Sequence, residues 1–290
     1  MNITIRGKTF ILAALTIFEK LRLNADKTKN HMTYNIKQQD KFKFIEEGSG
    51  EPLLLLHGLF GALSNFQHLI EHFKVRYKVV VPILPLFELD IFHTTVGGLE
   101  KFVCKFIEAR NLNNIHLLGN SLGGHVALVH ILKHPQRIKS LILTGSSGLF
   151  ESGMGDTYPK RGDKEYIRHK TQLTFYNPAM ASEELVNDVF EITNNRLKVI
   201  KIISLAKSAI RNNLGAELNQ IQQPTLLIWG KNDTITPPFV AEEFKKLIPH
   251  SELHFINNCG HAPMMEVPEE FNKILDAFLE KLKQPAATLA

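Results

Sequence analysis

The sequence predicts an α/β protein, a mostly parallel sheet with helices on both faces and a helical insertion before the last strands. Three observations predict it. From residue 40 onward, short apolar strand-like runs alternate with segments of helical period. One strand passes into a helix through Gly119-Asn120-Ser121-Leu122-Gly123-Gly124. Residues 150–218 then break the rhythm, with several helical signals and few strand signals.

The elements follow in order. Residues 42–46 read as a strand, and 52–56 (PLLLL) as a buried strand ending at His57-Gly58. A short helix is expected over 66–73 and a strand over 78–84. Residues 99–109 place Phe102, Val103, Phe106 and Ile107 on one side of a helix. A strand over 114–118 leads to a helix over 122–134, which Pro135 stops. Residues 138–144, 224–229 and 252–256 read as strands, with helices near 240–247 and over 268–282. Inside the insertion, helices are expected over 164–173, 182–193 and 196–210. Ser182 followed by Glu183 and Glu184 is an N-terminal capping pattern, because a side-chain oxygen and negative charge both favour free amides.

Composition bounds the function. The 290 residues are 44% apolar and 22% charged, enough for one large or two small domains. This excludes a mainly disordered chain, a collagen-like repeat and a multi-span membrane protein. Cys104 and Cys259 are the two cysteines, which excludes a disulfide-rich scaffold and a four-cysteine zinc site. The net charge of +5 is uneven: residues 1–31 hold six basic and two acidic residues, leaving only +1 for the rest. A nucleic-acid-binding surface on the body is therefore not expected.

Residues 1–35 form an N-terminal extension. Basic residues precede TFILAALTIF at 9–18, and Glu19 follows at once. The apolar run is about half the ~20 residues needed to span a bilayer. Four readings stand: an upstream start ahead of Met32, a signal or short anchor, an amphipathic membrane-surface helix, or a helix packed on the body. Membrane contact is expected only through residues 1–23. The expected compartment is cytoplasmic, with membrane association or export as the alternative.

The chemistry is carried by Gly119-Asn120-Ser121-Leu122-Gly123. It matches G-x-S-x-G between a strand and a helix, the context of a nucleophile elbow. A tight turn there strains Ser121 and projects its hydroxyl above the sheet edge. A serine hydroxyl needs a base, and the chain order expected for this elbow is Ser, acid, His. Asp233 follows the strand ending at Trp229-Gly230, and His261 follows the last strand in Cys259-Gly260-His261. Both fall at carboxyl ends of strands, where such sheets collect their ligands. Asp233 would orient the imidazole, and His261 would move the serine proton. The amide of Leu122 and that of Leu59, with Phe60 as the alternative donor, are the candidate oxyanion hole. His57 reads as a structural loop histidine.

Taken together, HGLFG at 57–61, GNSLGG at 119–124, GKND at 230–233 and NNCGHAPMMEVPEEFN at 257–272 resemble the α/β-hydrolase superfamily over residues 36–284. The resemblance implies a core of 36–149 and 219–290 with a helical cap of 150–218. It implies hydrolysis without a metal or organic cofactor, so no cofactor is expected. The stretch 175–186 is similar to the cap of enzymes that hydrolyse carbon–carbon bonds in aromatic ring-cleavage products. Three departures turn the expectation away from them: Val189 where those enzymes usually carry an arginine, Ala262 after His261, and Pro82-Ile83-Leu84-Pro85-Leu86-Phe87 in place of a glycine-rich acidic segment. The expected activity is hydrolysis of a small or medium apolar carboxylic ester. The alternatives are carbon–carbon hydrolysis of vinylogous diketones and, from another class, ligand binding without catalysis. Phe60, Phe150, Phe175 and Met264 are the candidate substrate-pocket residues. His130 and His134 have an i, i+4 spacing that could bind a metal, but no acidic or third histidine ligand is evident beside them, so His125, His130 and His134 read as surface or packing residues. No metal site is expected.

Overall fold

The structure, a computed structural model, describes residues 34–60, 66–150 and 162–283. The readings for residues 1–33, for Gly61 and for 151–161 lie outside these residues. From Ile36 onward the chain packs as one unit.

Eight strands form one sheet in the order β1-β2-β4-β3-β5-β6-β7-β8. β1 (Lys37–Gln39) and β2 (Phe42–Glu47) pair as a hairpin, and β2 runs antiparallel to β4 (Lys78–Pro82). β3 (Pro52–Leu56), β4, β5 (Ile115–Asn120), β6 (Ile138–Thr144), β7 (Thr225–Gly230) and β8 (Ser251–Ile256) run parallel. The central strands are apolar throughout because both faces are covered, as parallel sheets require.

Strand alternation divides the core. Leu54, Leu56, Leu117, Leu141, Leu143 and Leu227 face a layer made by α2 (Val96–Ala109), α3 (Leu122–Lys133) and α7 (Pro238–Leu247). Their neighbours Leu53, Leu55, Leu118, Ile142 and Leu226 are equally buried and point the other way. That side is covered by α1 (Gln67–Phe73) and α9 (Pro268–Lys281), which contribute Leu69, Ile70, Phe73, Phe271 and Leu275. Each buried leucine of this kind contributes about 1.5–3 kcal/mol.

Among the described residues, three helices stand between β6 and β7: α4 (Lys164–Gln172), α5 (Glu183–Asn194) and α6 (Arg196–Arg211). Ser182 caps α5 as its pattern indicates, its Oγ accepting from the Leu185 amide at 3.2 Å. A short α8 (Pro263–Glu266) precedes α9.

The structure adjusts several element bounds. β1 has no apolar signal and was not foreseen; it exists because the β2 edge offers free backbone partners. The strand expected over 78–84 ends at Pro82, since proline donates no ladder bond. α2 begins at Val96 rather than 99, because Thr95 Oγ1 accepts from the Gly98 amide at 3.0 Å and caps it. α7 begins at Pro238, at the position where a missing amide costs nothing.

His125 on α3 is fully buried, with Nε2 donating to the Asn212 carbonyl at 2.9 Å. Burial lowers its pKa to about 4. A histidine whose folded pKa lies below its unfolded value of about 6.5 loses stability as pH falls between those limits. The expected loss from His125 is about 2 kcal/mol between pH 8 and pH 5. Urea unfolding of wild type and His125→Gln at both pH values checks this: the variant should lose about 2 kcal/mol less on acidification.

Candidate active site

Ser121 sits where β5 passes into α3, with φ 54° and ψ −122°. A non-glycine residue holds such a conformation only when its surroundings enforce it, at about 1–3 kcal/mol. The surroundings are visible. The Ser121 amide donates to the Thr144 carbonyl of β6 at 3.2 Å. Its carbonyl accepts from the amides of Gly124, His125 and Ser147.

The flanking glycines serve close packing. A Cβ on Gly123 would stand 2.1 Å from the Leu56 carbonyl oxygen, and one on Gly119 2.5 Å from the Gly123 carbonyl oxygen. A Cβ on Gly124 would meet Ser146 Oγ at 2.3 Å. The third glycine of GNSLGG is thus a contact with the loop after β6, a role the motif alone does not reveal.

Asp233 and His261 meet at the carboxyl ends of β7 and β8. His261 Nδ1 lies 2.9 Å from Asp233 Oδ2, and both side chains are buried. Asp233 Oδ1 accepts from the amides of Ile235 and Thr236, and Oδ2 from Thr236 Oγ1 at 2.8 Å. Burial works to raise the Asp233 pKa, but the charge and hydrogen bond of His261 and the Thr236 donors outweigh it. The carboxyl is held below the usual range. With Nδ1–H donating to Asp233, Nε2 carries the free lone pair.

Ser121 and His261 are brought to neighbouring positions through the backbone. Asn120 Nδ2 donates to the His261 carbonyl at 3.3 Å and to the Thr144 carbonyl at 3.0 Å. A Cβ on Gly145, which follows β6 with φ 51°, would stand 2.9 Å from His261 Nδ1. Among the described residues no hydrogen bond joins Ser121 Oγ to His261.

Gly58 abuts the serine: a Cβ there would stand 3.1 Å from Ser121 Cβ. The turn carrying Leu59 and Phe60 therefore faces Ser121, and Leu122 opens α3, where helix amides lack partners. His57 fixes this turn. Its Nε2 accepts from the Leu84 amide at 3.0 Å while Nδ1 donates to the Gly58 carbonyl at 2.9 Å. That pattern requires a neutral ring, and burial lowers the His57 pKa accordingly.

The segment between α4 and α5 reaches the same loops. The His261 amide donates to the Thr174 carbonyl at 2.8 Å, and Thr234 Oγ1 to the Leu173 carbonyl at 3.0 Å. Glu266 Oε1 accepts from the Asn177 amide at 2.6 Å and Oε2 from the Gly260 amide at 2.7 Å. Thr236, Asn120 and Glu266 were not foreseen. Thr236 had a readable signal, an aspartate followed by a threonine three residues later at a strand end. Glu266 had none, because its partners lie far apart in sequence.

The pocket candidates separate. Phe175 is buried over Gly260, whose Cβ would stand 2.8 Å from Phe175 Cα. Met264 is buried on α8, three residues after His261. Phe60 is half-buried in the turn after β3. Phe150 is 37% exposed and packs edge-on against Phe239, with ring centroids 5.1 Å apart. Cys259 is fully buried and burial pushes its thiol pKa up, so it is a packed neutral group.

Gly123→Ala is expected to destabilise the fold by about 3 kcal/mol, the upper range for overpacking, because its new methyl meets backbone that cannot rotate away. Denaturant unfolding of the variant checks it. A loss under about 1 kcal/mol would mean that the elbow can open without strain.

Residues 53–274 match the Alpha/beta hydrolase family model. Lipase 3 of Moraxella sp. (strain TA144) is 28% identical over 266 residues, 84% of this chain and 83% of that protein. The 2-hydroxy-6-oxo-6-phenylhexa-2,4-dienoate hydrolase of Comamonas testosteroni is 26% identical over 272 residues, 85% of this chain and 95% of that one. Among solved structures, MGS-MChE2, an alpha/beta hydrolase enzyme from the metagenome of lagoon sediments of Mar Chica, Morocco, is 39% identical with a TM-score of 0.72. It is matched over 86% of this chain and 100% of its own. With an eight-stranded sheet, a strained serine at the strand-to-helix turn and a family match spanning most of its length, the chain belongs to the alpha/beta hydrolase family.

Proposed function

We propose that this protein is a serine hydrolase cleaving a small or medium carboxylic ester with apolar bulk through an acyl-enzyme. The observation that carries the reading is the strained Ser121 at the mouth of α3, beside an imidazole already held by a buried carboxylate. Strain of this kind persists where a side chain must be presented in one direction.

Ser121 Oγ attacks the carbonyl carbon as its proton passes to His261 Nε2. Rotation of the serine side chain as substrate docks makes that contact, since hydrogen bonds of this type often tighten only in the complex. The tetrahedral oxyanion forms against the Leu59 and Leu122 amides, each worth on the order of 3 kcal/mol. His261 returns the proton to the departing alcohol, and the acyl group stays on Ser121. Water, deprotonated by His261, attacks the acyl carbon and releases the acid. Asp233 stabilises the imidazolium in both halves. Thr236 holds the carboxylate so that one oxygen faces the ring.

The cap is proposed as residues 150–218 on a core of 36–149 and 219–290. The hydrogen bonds of Leu173, Thr174 and Asn177 to the catalytic loops support it, because they seat this block over His261. Buried Phe175 and Met264 give the acyl side an apolar wall.

A second reading is carbon–carbon hydrolysis, the activity named for the Comamonas testosteroni relative. The ester reading is preferred because Val189 is buried and apolar on α5, so this position supplies no cation for an acidic ring-cleavage product. Lipase 3, similar over a comparable span, supports the ester class. Among the described residues no helix is long and apolar enough to cross a membrane.

Hydrolysis of p-nitrophenyl butyrate should fall at least ~10³-fold in Ser121→Ala, with unchanged circular dichroism. A fluorophosphonate probe should label wild type at Ser121 and not the variant. Equal rates in the two proteins would remove Ser121 from the mechanism. In Asp233→Asn, kcat should fall ~10⁴-fold because the wrong imidazole tautomer is then favoured. Turnover of a chromogenic ring-cleavage product faster than of the butyrate ester would replace the first reading with the second.

A further inference from the structure

Far from Ser121, α2 and α3 bring together two side-chain pairs, each spaced i, i+4. Glu100 and Cys104 come from α2, and His130 and His134 from the end of α3. One ligating atom from each lies within 4.8 Å of every other. Glu100 Oε1 is 3.2 Å from His130 Nδ1 and 3.7 Å from His134 Nε2, and Cys104 Sγ is 3.5 Å from His134 Nε2. A tetrahedral ion with bonds of ~2.0–2.3 Å sets its ligands roughly 3.3–3.8 Å apart. Three edges of such a tetrahedron are therefore already close to formed.

Hydrogen bonding leaves one buried atom of this cluster unserved. Glu100 is 2% exposed and His130 1% exposed, both on helix faces otherwise packed with apolar groups. His130 Nε2 is buried without a hydrogen-bond partner. Lys133 takes Glu100 Oε2 at 2.9 Å, which leaves Oε1 turned toward both histidines. Lys133 already neutralises the carboxylate, so ion pairing does not explain the two imidazoles and the thiol gathered on its other side.

We propose that Glu100, Cys104, His130 and His134 bind one divalent transition-metal ion of the zinc class, pinning α2 to the far end of α3. The donor set of imidazole, thiolate and carboxylate suits zinc over magnesium or calcium. Binding releases the Cys104 proton to solvent. The thiolate then offsets one of the two charges of the ion, and the Glu100 carboxylate is shared between the ion and Lys133. Half-exposed Cys104 and the 35% exposed side chain of His134 give the ion access from solvent. In sequence, His130 and His134 have no ligand partners beside them. Those partners stand on a different helix, where sequence spacing does not pair them. α3 separates this cluster from Ser121 by about 18 Å of helix, so the role is structural.

The test uses the full chain stripped with a chelator. Titration calorimetry with Zn²⁺ should give one ion per chain with sub-micromolar affinity. Titration with Co²⁺ should give a thiolate charge-transfer band in the near ultraviolet. Cys104→Ser should abolish that band and weaken Zn²⁺ binding at least tenfold. His134→Ala should weaken it similarly, and the double variant at least a hundredfold. Both residues are partly exposed, so these variants should keep the fold, the circular dichroism and the wild-type rate on p-nitrophenyl butyrate. Zn²⁺ should also raise the Tm of wild type and leave that of the double variant unchanged. Absence of stoichiometric binding, or affinity unchanged in both single variants, would overturn the site. Zn²⁺ that inhibits hydrolysis while ignoring Cys104→Ser would place the ion at His261 instead and would equally overturn it.

Discussion

The structure turns on a backbone contact that leaves no room for a side chain. β3, β5 and the first turn of α3 approach so closely that Gly119, Gly123 and Gly124 each face atoms at less than 3 Å from where a Cβ would sit. This approach forces Ser121 into its strained conformation and aims it away from the sheet. The sheet supplies the rigidity. Ser121 is tied to β6 through Thr144 and to the loop after it through Ser147, and the flanking strands bury leucines on both faces. The cost of one strained residue is small beside that burial, so the fold holds the residue where isolated peptide would relax.

Around this point the polar groups are arranged so that few are left unpaired. Asp233 is buried, which alone would favour its neutral form, yet three donors and the adjacent imidazole keep it ionised. His57 uses both ring nitrogens to hold the turn that faces Ser121, and its burial keeps it neutral. Two histidines a short distance apart thus take opposite parts. One is a fixed strut, and the other has a nitrogen left over for chemistry. Trp229 extends the same logic, its indole N–H donating to the Thr236 carbonyl at 2.8 Å and so steadying the residue that steadies Asp233.

The helical block is joined to these loops by a set of hydrogen bonds. Thr174 receives the His261 amide, and Glu266 bridges Asn177 to Gly260. Gly260 is required for this, because a Cβ there would meet the Thr174 carbonyl oxygen at 2.6 Å. The position of His261 and the position of the block are therefore set together. A substitution in this segment that shifts the block also shifts the imidazole.

Much of this was legible in sequence. The alternating strands and helices follow from hydrophobic period, and the glycines around Ser121 mark a turn that only a tight strand-to-helix junction requires. The order Ser121, Asp233, His261 along the chain named three residues that the fold sets after strands of one parallel sheet, and such strand ends share one edge. What sequence could not carry were relations between distant segments. Thr236 and Glu266 act through partners chosen by packing, and Phe150 proved to sit in an exposed aromatic pair with Phe239. Glu100 and Cys104 are ordinary helix residues until α2 is laid against α3. Local period and turn chemistry are properties of neighbouring residues and are written in their order. Which side chains from separate elements meet depends on how whole layers pack, and only the tertiary structure decides that.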